Sequence, residues 1–455
     1  MTTTPEFAYG SGPPKPVPPQ KPEEIAQGIT LLRPLSRKGH GPGLIILAPP
    51  PAQDNNNPTT SPPEIQNGIP SLRMKWAEEG YCVAQIQPHA SSSSASSSSS
   101  ALQIAVQALQ ACAECEPKEQ MGIICYDFDI WFSVTHAAAA LPEQIVVAAI
   151  YAHISQYQHL VSSPPPADGS SGNGSKGVLP TIYHLAGTTS SSSATTTPAP
   201  KTAAAPPNSK IYEYPSMETS SFAVPFSEEF DYATEAVSHS RNLAFVKKVM
   251  GGPYFDLELL WEEHTFYEFG SRSVENTMAT MVEEPYVNHV PTLTGGIGRT
   301  NLTNFYRDHF IFSNPEDTTL ELISRTVGID RVVDEFIYKF TFTKTPDWLF
   351  PGIPPTHQFV EIPMMAVVNI RGDRLYHEHI TWDHASALRQ IGVLPEKLPL
   401  TITTEEEEDD DDDEKKKNKK YEITLPVAGK ETAMKMRNKN SIPSNSMFEY
   451  QAREI

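Results

Sequence analysis

Interruption is what most limits the fold of this chain. Stretches at 1–24, 49–63, 90–100, 162–176, 187–209 and 401–420 are rich in Pro, Ser, Thr or acids, and so poor in apolar side chains that packing cannot offset their chain entropy. What remains of the 455 residues falls into two blocks. The first, 28–252, carries inserts at 90–100, 162–176 and 187–209, and the second, 253–399, carries none. Two domains are expected, with a disordered Pro-rich N-terminus over 1–27 and a disordered acidic-then-basic tail over 400–455.

The formal charge of -20 argues against a nucleic-acid partner, which would need clustered Lys and Arg to release counterions. Ten consecutive acids, Glu405 to Glu414, are followed by Lys415, Lys416, Lys417, Lys419 and Lys420, a self-compensating solvated run. No apolar stretch reaches the ~18 residues of a membrane span, and Met1 to Gln20 lacks the apolar core of a secretory signal. A cytoplasmic protein without a membrane partner is expected. Cys82, Cys112, Cys115 and Cys125 do not form a secreted-type framework and read as free thiols. The Cys112-x-x-Cys115 pair falls late in a helical stretch, Ala101 to Cys115, where neither a redox motif nor a zinc site is expected.

The first block alternates apolar strands with helical stretches. Strands are expected at Gly43–Ala48, Tyr81–Ile86, Met121–Tyr126, Ile145–Tyr151, Val178–Leu185 and Lys210–Tyr214, and helices at Ile69–Glu79, 101–115, 130–140 and Phe230–Met250. Repeated βα units imply a parallel sheet covered by helices on both faces.

The segments GPGLIILAPP, LRMKWAEEGYCVAQIQP, MGIICYDF, GVLPTIYHLAG and KIYEYPSMETSSF followed by YATEAVSHSRNLAFVKKVMGG resemble the dienelactone hydrolases (carboxymethylenebutenolidases). The resemblance implies an α/β-hydrolase-like fold whose nucleophile sits on a tight strand-to-helix turn between small residues. That turn is Cys125-Tyr126-Asp127-Phe128-Asp129, with Asp127 at the nucleophile's place. The acid expected after His184-Leu185-Ala186 is replaced by Gly187-Thr188-Thr189, and the H-G-F motif after Tyr214-Pro215 by Ser220-Ser221-Phe222. A triad acts as a unit, so the domain is expected to be a pseudo-enzyme. A working hydrolase would need a His, such as His136, His153 or His184, beside Asp127 or Cys125.

The second block places helices first, at Tyr254–Ser271, Ser273–Met281 and Arg299–Phe310, with a short strand at Glu283–His289 between them. Two hairpins follow: Thr318–Val327 with Arg331–Thr343, and Phe359–Ile370 with Arg374–Trp382 across the turn Arg371-Gly372-Asp373-Arg374. The Gly328 turn sets Arg325 opposite Asp334, on the face that also carries Val332, Phe336, Tyr338 and Phe340. Asp334 is there either paired with Arg325 or a pocket acid. The last strand divides into Tyr376, Glu378, Ile380 and Trp382 on one face and His377, His379, Thr381 and Asp383 on the other. His377 and His379 share a face, with Asp383 or Glu361 as a third metal ligand in reserve; no metal and no cofactor are expected. The stretch Gly295-Gly296-Ile297-Gly298 before a helix reads as a turn rather than an anion site.

YVNHVPTLTGGIG, FYRDHFIF, ISRTVGIDRVVDEF, WLFPGIPPTH and VEIPMMAVVNIRGDRLYHEHITWDHASALRQIGVL resemble the nuclear-transport-factor-two-like superfamily, in its SnoaL-like polyketide cyclase branch. The resemblance implies an α+β cone-shaped (cystatin-like) domain with a cavity for a small apolar or aromatic molecule, often dimeric through its sheet. It also implies an acid at Asp383, ahead of Gln390-Ile391-Gly392. Asp383, His289 and His379 are thus the candidate catalytic residues, proton carriers if burial tunes them; helix capping is the plain alternative for Asp383. Arg325, Asp334, Glu378, Trp382 and Tyr286 are the candidate binding residues. The expected function is a small-molecule-binding or isomerase-, cyclase- or dehydratase-type pocket, the alternatives being an ester hydrolase and a structural or adaptor role.

Overall fold

The computed structural model describes the chain from residue 7, apart from residues 8, 11, 19–20, 51–63, 88–94, 138–140, 163–177, 189–206 and 406–415. Much of the low-complexity sequence lies outside the described residues.

Eight strands make the first sheet: β1 Glu23–Ala26, β2 Ile29–Leu32, β3 Gly43–Leu47, β4 Cys82–Ile86, β5 Met121–Cys125, β6 Ile145–His153, β7 Thr181–Ala186 and β8 Ser209–Tyr214. Their order is β1-β2-β4-β3-β5-β6-β7-β8. Pairing is parallel from β4 to β8, and β1 and β2 are antiparallel. The continuous apolar runs follow from burial on both faces. Leu44 and Ile46 face α1 (Leu72–Glu78) and α5 (Tyr232–Met250), while Ile45 and Leu47 face α2 (Ala95–Ala111), α3 (Phe128–Ala137) and α4 (Ile154–Ser162). Helix α2 begins within the serine run, at Ala95 rather than 101.

The second unit opens with α6 (Leu257–Thr265) and α7 (Val274–Ala279), followed by β9 Met281–His289, β10 Thr294–Ile297 and α8 Gly298–Phe305. The stretch expected as a glycine turn is instead the strand β10, paired with β9. Strands β11 Thr319–Val327, β12 Arg331–Thr341, β13 Phe359–Arg371 and β14 Arg374–Trp382 complete a sheet ordered β10-β9-β14-β13-β12-β11. Its buried face and the helices enclose one core that includes Leu260, Trp261, Phe305, Phe310, Phe336, Phe340, Trp348 and Trp382.

The two units interlock through the turn between β13 and β14. Arg371 donates to Glu78 at 2.7 Å, and Asp373 accepts from the backbone N–H groups of Arg37 at 2.8 Å and Lys38 at 3.1 Å. Gly372, at φ +59, is required there, because a Cβ would lie 2.3 Å from the Glu78 carbonyl oxygen. Arg37 and Glu263 form a buried two-bond ion pair at 2.6 and 2.9 Å.

Described residues of both expected disordered ends make contacts with the rest of the chain. In the N-terminal segment, Phe7 is 3% exposed, Tyr9 donates to Asp373, and the carbonyls of Lys15 and Pro16 accept from Arg374. In the tail, β15 Lys397–Glu405 and β16 Lys416–Thr424 pair, and Arg437 of α9's successor helix, α10 (Glu431–Arg437), bonds Glu321 and Glu361; α9 itself is His384–Gln390. Partners far away in sequence hold these described residues. No described helix is long and apolar enough to cross a membrane.

Candidate functional site

The interior face of the second sheet follows from its register. Val332, Asp334, Phe336, Tyr338 and Phe340 of β12 pair with Val368, Ala366, Met364, Ile362 and Val360 of β13, three of which pair on with Glu378, Ile380 and Trp382 of β14. Val287 and His289 of β9 continue the face beside Glu378 and Ile380. Tyr376 does not join it, because a bulge between Asn369 and Ile370 shifts the register. Its hydroxyl instead meets that of Tyr232 on α5 at 2.9 Å.

One polar constellation stands in this apolar interior. His264 of α6 points its Nε2 at Glu268 Oε1, 3.2 Å away, and at Glu378 Oε1, 3.1 Å away. Tyr306 donates to Glu378 Oε1 at 3.3 Å and lies 3.4 Å from His264 Nε2. All four are buried, His264 wholly so. Glu268 lies in a π-helical turn, Phe266–Gly270, and Tyr306 opens another, Tyr306–Phe310. Such turns widen a helix by one residue and recur at functional sites.

The electrostatics follow from the partners. Burial works against a charge on His264, but the Glu268 and Glu378 carboxylates outweigh it and hold its pKa up to about 10. Burial pushes the Glu268 carboxyl upward, against the pull of His264. Burial, with the two carboxylates, keeps the Tyr306 hydroxyl protonated. On the other ring nitrogen, His264 Nδ1 lies 2.6 Å from Thr280 Oγ1, whose own hydroxyl donates to the Thr277 carbonyl at 2.6 Å. Thr280 therefore accepts, and the Nδ1 proton is fixed.

Of the sequence candidates, Glu378 belongs to the constellation. His289 is interior, ringed by Phe305, Phe310, Trp348 and Trp382, its Nδ1 buried without a partner and its pKa depressed by burial to about 3. Trp382 lines the same wall. Asp334 is a satisfied ion pair: Arg325 binds it at 2.8 and 2.9 Å, and Trp261 donates to it at 2.8 Å.

Three candidates fall elsewhere. Asp383 is exposed and caps α9, accepting from the N–H groups of Ala385 at 3.1 Å and Ser386 at 3.3 Å, so its carboxylate is committed to the helix. His379 and Tyr286 lie on the opposite face of the sheet, where His379 stacks on His377 at 4.6 Å and meets Tyr286 edge-on. Asp383, His289 and His379 therefore share no wall. Neither Asp383 nor Glu361 joins His377 and His379; the one group of three or more metal-ligating side chains found among the described residues is His264, Glu268 and Glu378. Sequence reasoning missed His264, Glu268 and Tyr306. The signal for the first two was a His and Glu four apart, which share a helix face.

In the first unit Asp127 accepts from the N–H groups of Asp129 at 2.9 Å and Ile130 at 3.3 Å, capping α3. Cys125 is buried, and that burial pushes its thiol pKa up. Among the described residues no His bonds either; His184 is held by Tyr214 and Asn242, His153 by Ser155, and the His136 side chain lies outside those described. The four cysteines are free, with Cys82 and Cys112 sulfurs 3.4 Å apart.

No protein-family model and no curated protein matches the chain. Solved structures do match part of it. A protein described as a SnoaL-like polyketide cyclase, from Jannaschia, is 16% identical over 32% of this chain and 99% of its own, with a TM-score of 0.25. A protein with a ketosteroid isomerase-like fold from Catenulispora acidiphila, in complex with trimethylamine, is 14% identical over 30% of this chain and 93% of its own, with a TM-score of 0.24. An NTF2-like protein of unknown function from Burkholderia pseudomallei is 15% identical over 30% and 96%, with a TM-score of 0.24.

Proposed function

We propose that the second unit holds a small apolar or aromatic molecule against its interior sheet face and gives it isomerase-type chemistry. The observation that carries this is a wholly buried His264 between two buried carboxylates, Glu268 and Glu378, in an otherwise largely apolar interior. Groups so costly to bury accumulate where a site needs them.

In this scheme Glu378 is the base, because the other acid on the interior sheet face, Asp334, is paired with Arg325, and burial pushes the helix-borne Glu268 carboxyl upward. Glu378 takes a proton from a carbon next to a carbonyl and the electron pair moves onto the carbonyl oxygen; the pair then moves back as a proton, exchanged with solvent on the Glu378 carboxyl, is delivered to that carbon or to a second one conjugated with it. Tyr306 donates to Glu378, and a protonated His264, its ring oriented by Thr280, balances the charge. The first unit serves as a scaffold. Its strand order, with the second strand antiparallel, supports an α/β-hydrolase-like frame, and the capping role of Asp127 supports a pseudo-enzyme in place of a dienelactone hydrolase.

The test is proton exchange. The full chain, incubated with 2-tetralone in heavy water, is expected to speed deuterium uptake at the carbons beside the carbonyl, and Glu378→Gln to lose about a hundredfold or more of that acceleration. No acceleration, together with no small molecule retained in native mass spectra, would refute the scheme.

A further inference from the structure

The His264 constellation has the dimensions of a coordination shell. Its donor atoms are separated by 3.1 Å (His264 Nε2 to Glu378 Oε1), 3.2 Å (His264 Nε2 to Glu268 Oε1), 3.3 Å (Tyr306 Oη to Glu378 Oε1) and 3.4 Å (Tyr306 Oη to His264 Nε2). Two ligands at about 2.0–2.1 Å from a tetrahedral zinc ion stand roughly 3.3–3.4 Å apart. These four separations already lie close to the spacing an ion would impose, and the ligand atoms of His264, Glu268 and Glu378 all lie within 4.8 Å of one another.

Two further observations agree. A metal-binding imidazole commonly donates its remote N–H to a fixed partner, and Thr280, committed to the Thr277 carbonyl, provides that partner for Nδ1 and leaves Nε2 facing the carboxylates. The partners also suit a cation: among the described residues no Lys or Arg pairs with Glu268 or Glu378, and the two carboxylates face one imidazole nitrogen, whose proton an ion could replace as their shared partner.

We propose that His264, Glu268 and Glu378, with the Tyr306 oxygen beside them, form a binding site for one divalent ion of the zinc class, the ion taking the place of the proton on His264 Nε2. One imidazole and several oxygens suit zinc or cobalt(II). Binding releases the Nε2 proton to solvent, so affinity rises with pH. The site rests on the preceding proposal only in taking this constellation as the functional centre; with the ion bound Glu378 is a ligand, so the proton transfer belongs to the metal-free chain.

The test uses the full chain, stripped with EDTA and dialysed, then titrated with zinc by calorimetry and with cobalt(II) by visible absorption. One ion per chain and the intense visible bands of tetrahedral cobalt are expected. Glu268→Gln and Glu378→Gln should each weaken zinc binding by more than about a hundredfold, and Thr280→Val, which frees the remote nitrogen, by about 10–100-fold. Should the Gln variants fail to fold, X-ray absorption on the unaltered zinc-loaded chain decides: nitrogen and oxygen neighbours at about 2.0–2.1 Å support the site. A sulfur shell would instead assign the ion to Cys82, Cys112 and Cys115 and overturn the proposal. So would substoichiometric binding, affinity unchanged in both Gln variants, or binding lost on replacing His377 and His379 by Ala. Zinc binding by a chain that shows no proton exchange when stripped would refute the isomerase scheme alone, and exchange in a stripped chain that binds no zinc would refute the metal site alone.

Discussion

Two wholly buried histidines, one in each unit, are treated in opposite ways. His184 of the first sheet has both ring nitrogens bonded to neutral groups, Tyr214 Oη and Asn242 Oδ1, each at 2.7 Å, and burial depresses its pKa to about 3. His264 of the second unit is equally enclosed, yet two carboxylates outweigh burial and lift it to about 10. Burial therefore does not mark a functional histidine; the charge of its partners does. The first pattern closes a network around Tyr151, Tyr214 and Asn242, whereas the second keeps charge in an apolar interior. A protein retains such charge at a stability cost.

Substitution of the two residues should separate them by size. His264→Asn removes the only charged partner of Glu268 and Glu378 among the described residues, and about 3–5 kcal/mol of stability should be lost, as when one side of a buried pair is deleted. His184→Phe keeps the ring and strands only neutral partners, for about 1–3 kcal/mol. Urea midpoints compare them directly, and equal losses would erase the distinction. The smallest effect belongs to the altered nucleophile turn. Asp127→Asn retains a capping side chain and should shift stability by no more than a few tenths of a kcal/mol. The unaltered chain should hydrolyse neither dienelactone nor activated esters above background, and hydrolysis that Asp127→Asn or Cys125→Ala abolishes would contradict a silent first unit.

The elements of both units were largely legible because their sequence periods are plain. Apolar runs buried on both faces mark β3 to β7, and the alternation from Val332 to Phe340, with the Gly328 turn, sets Arg325 opposite Asp334. The candidate site was legible only at Glu378 and at the interior wall of His289 and Trp382. Asp383 carried equally strong signals for capping and for catalysis, and geometry chose capping. Tyr376 was misassigned because the bulge beside Asn369 leaves no mark in the two-residue alternation. His264 and Tyr306 meet across α6, α8 and β14, contacts that no local period announces. The placement of Tyr9, Lys15 and Pro16 likewise rests on remote partners, Asp373 and Arg374.

The charge on His264 is the central claim, and it has a signature in pH. A folded pKa of about 10 lies above the ordinary histidine value of 6.5, so His264 stabilises the fold fully below about pH 6.5 and loses that contribution as pH rises through about 10. His184, at about 3, has the opposite sign: its contribution is present above about pH 6.5 and fades as pH falls toward 3. The most direct measurement is nitrogen NMR of the histidine rings in the full chain, labelled with ¹⁵N-histidine, freed of metal by chelation and titrated from pH 6 to 10.5. One ring, absent from the spectrum of His264→Asn, should remain an imidazolium at pH 8.5 while the signals of His184 and His289 are those of neutral rings; finding every ring neutral at pH 8.5 would contradict the charged constellation on which the proposed function depends.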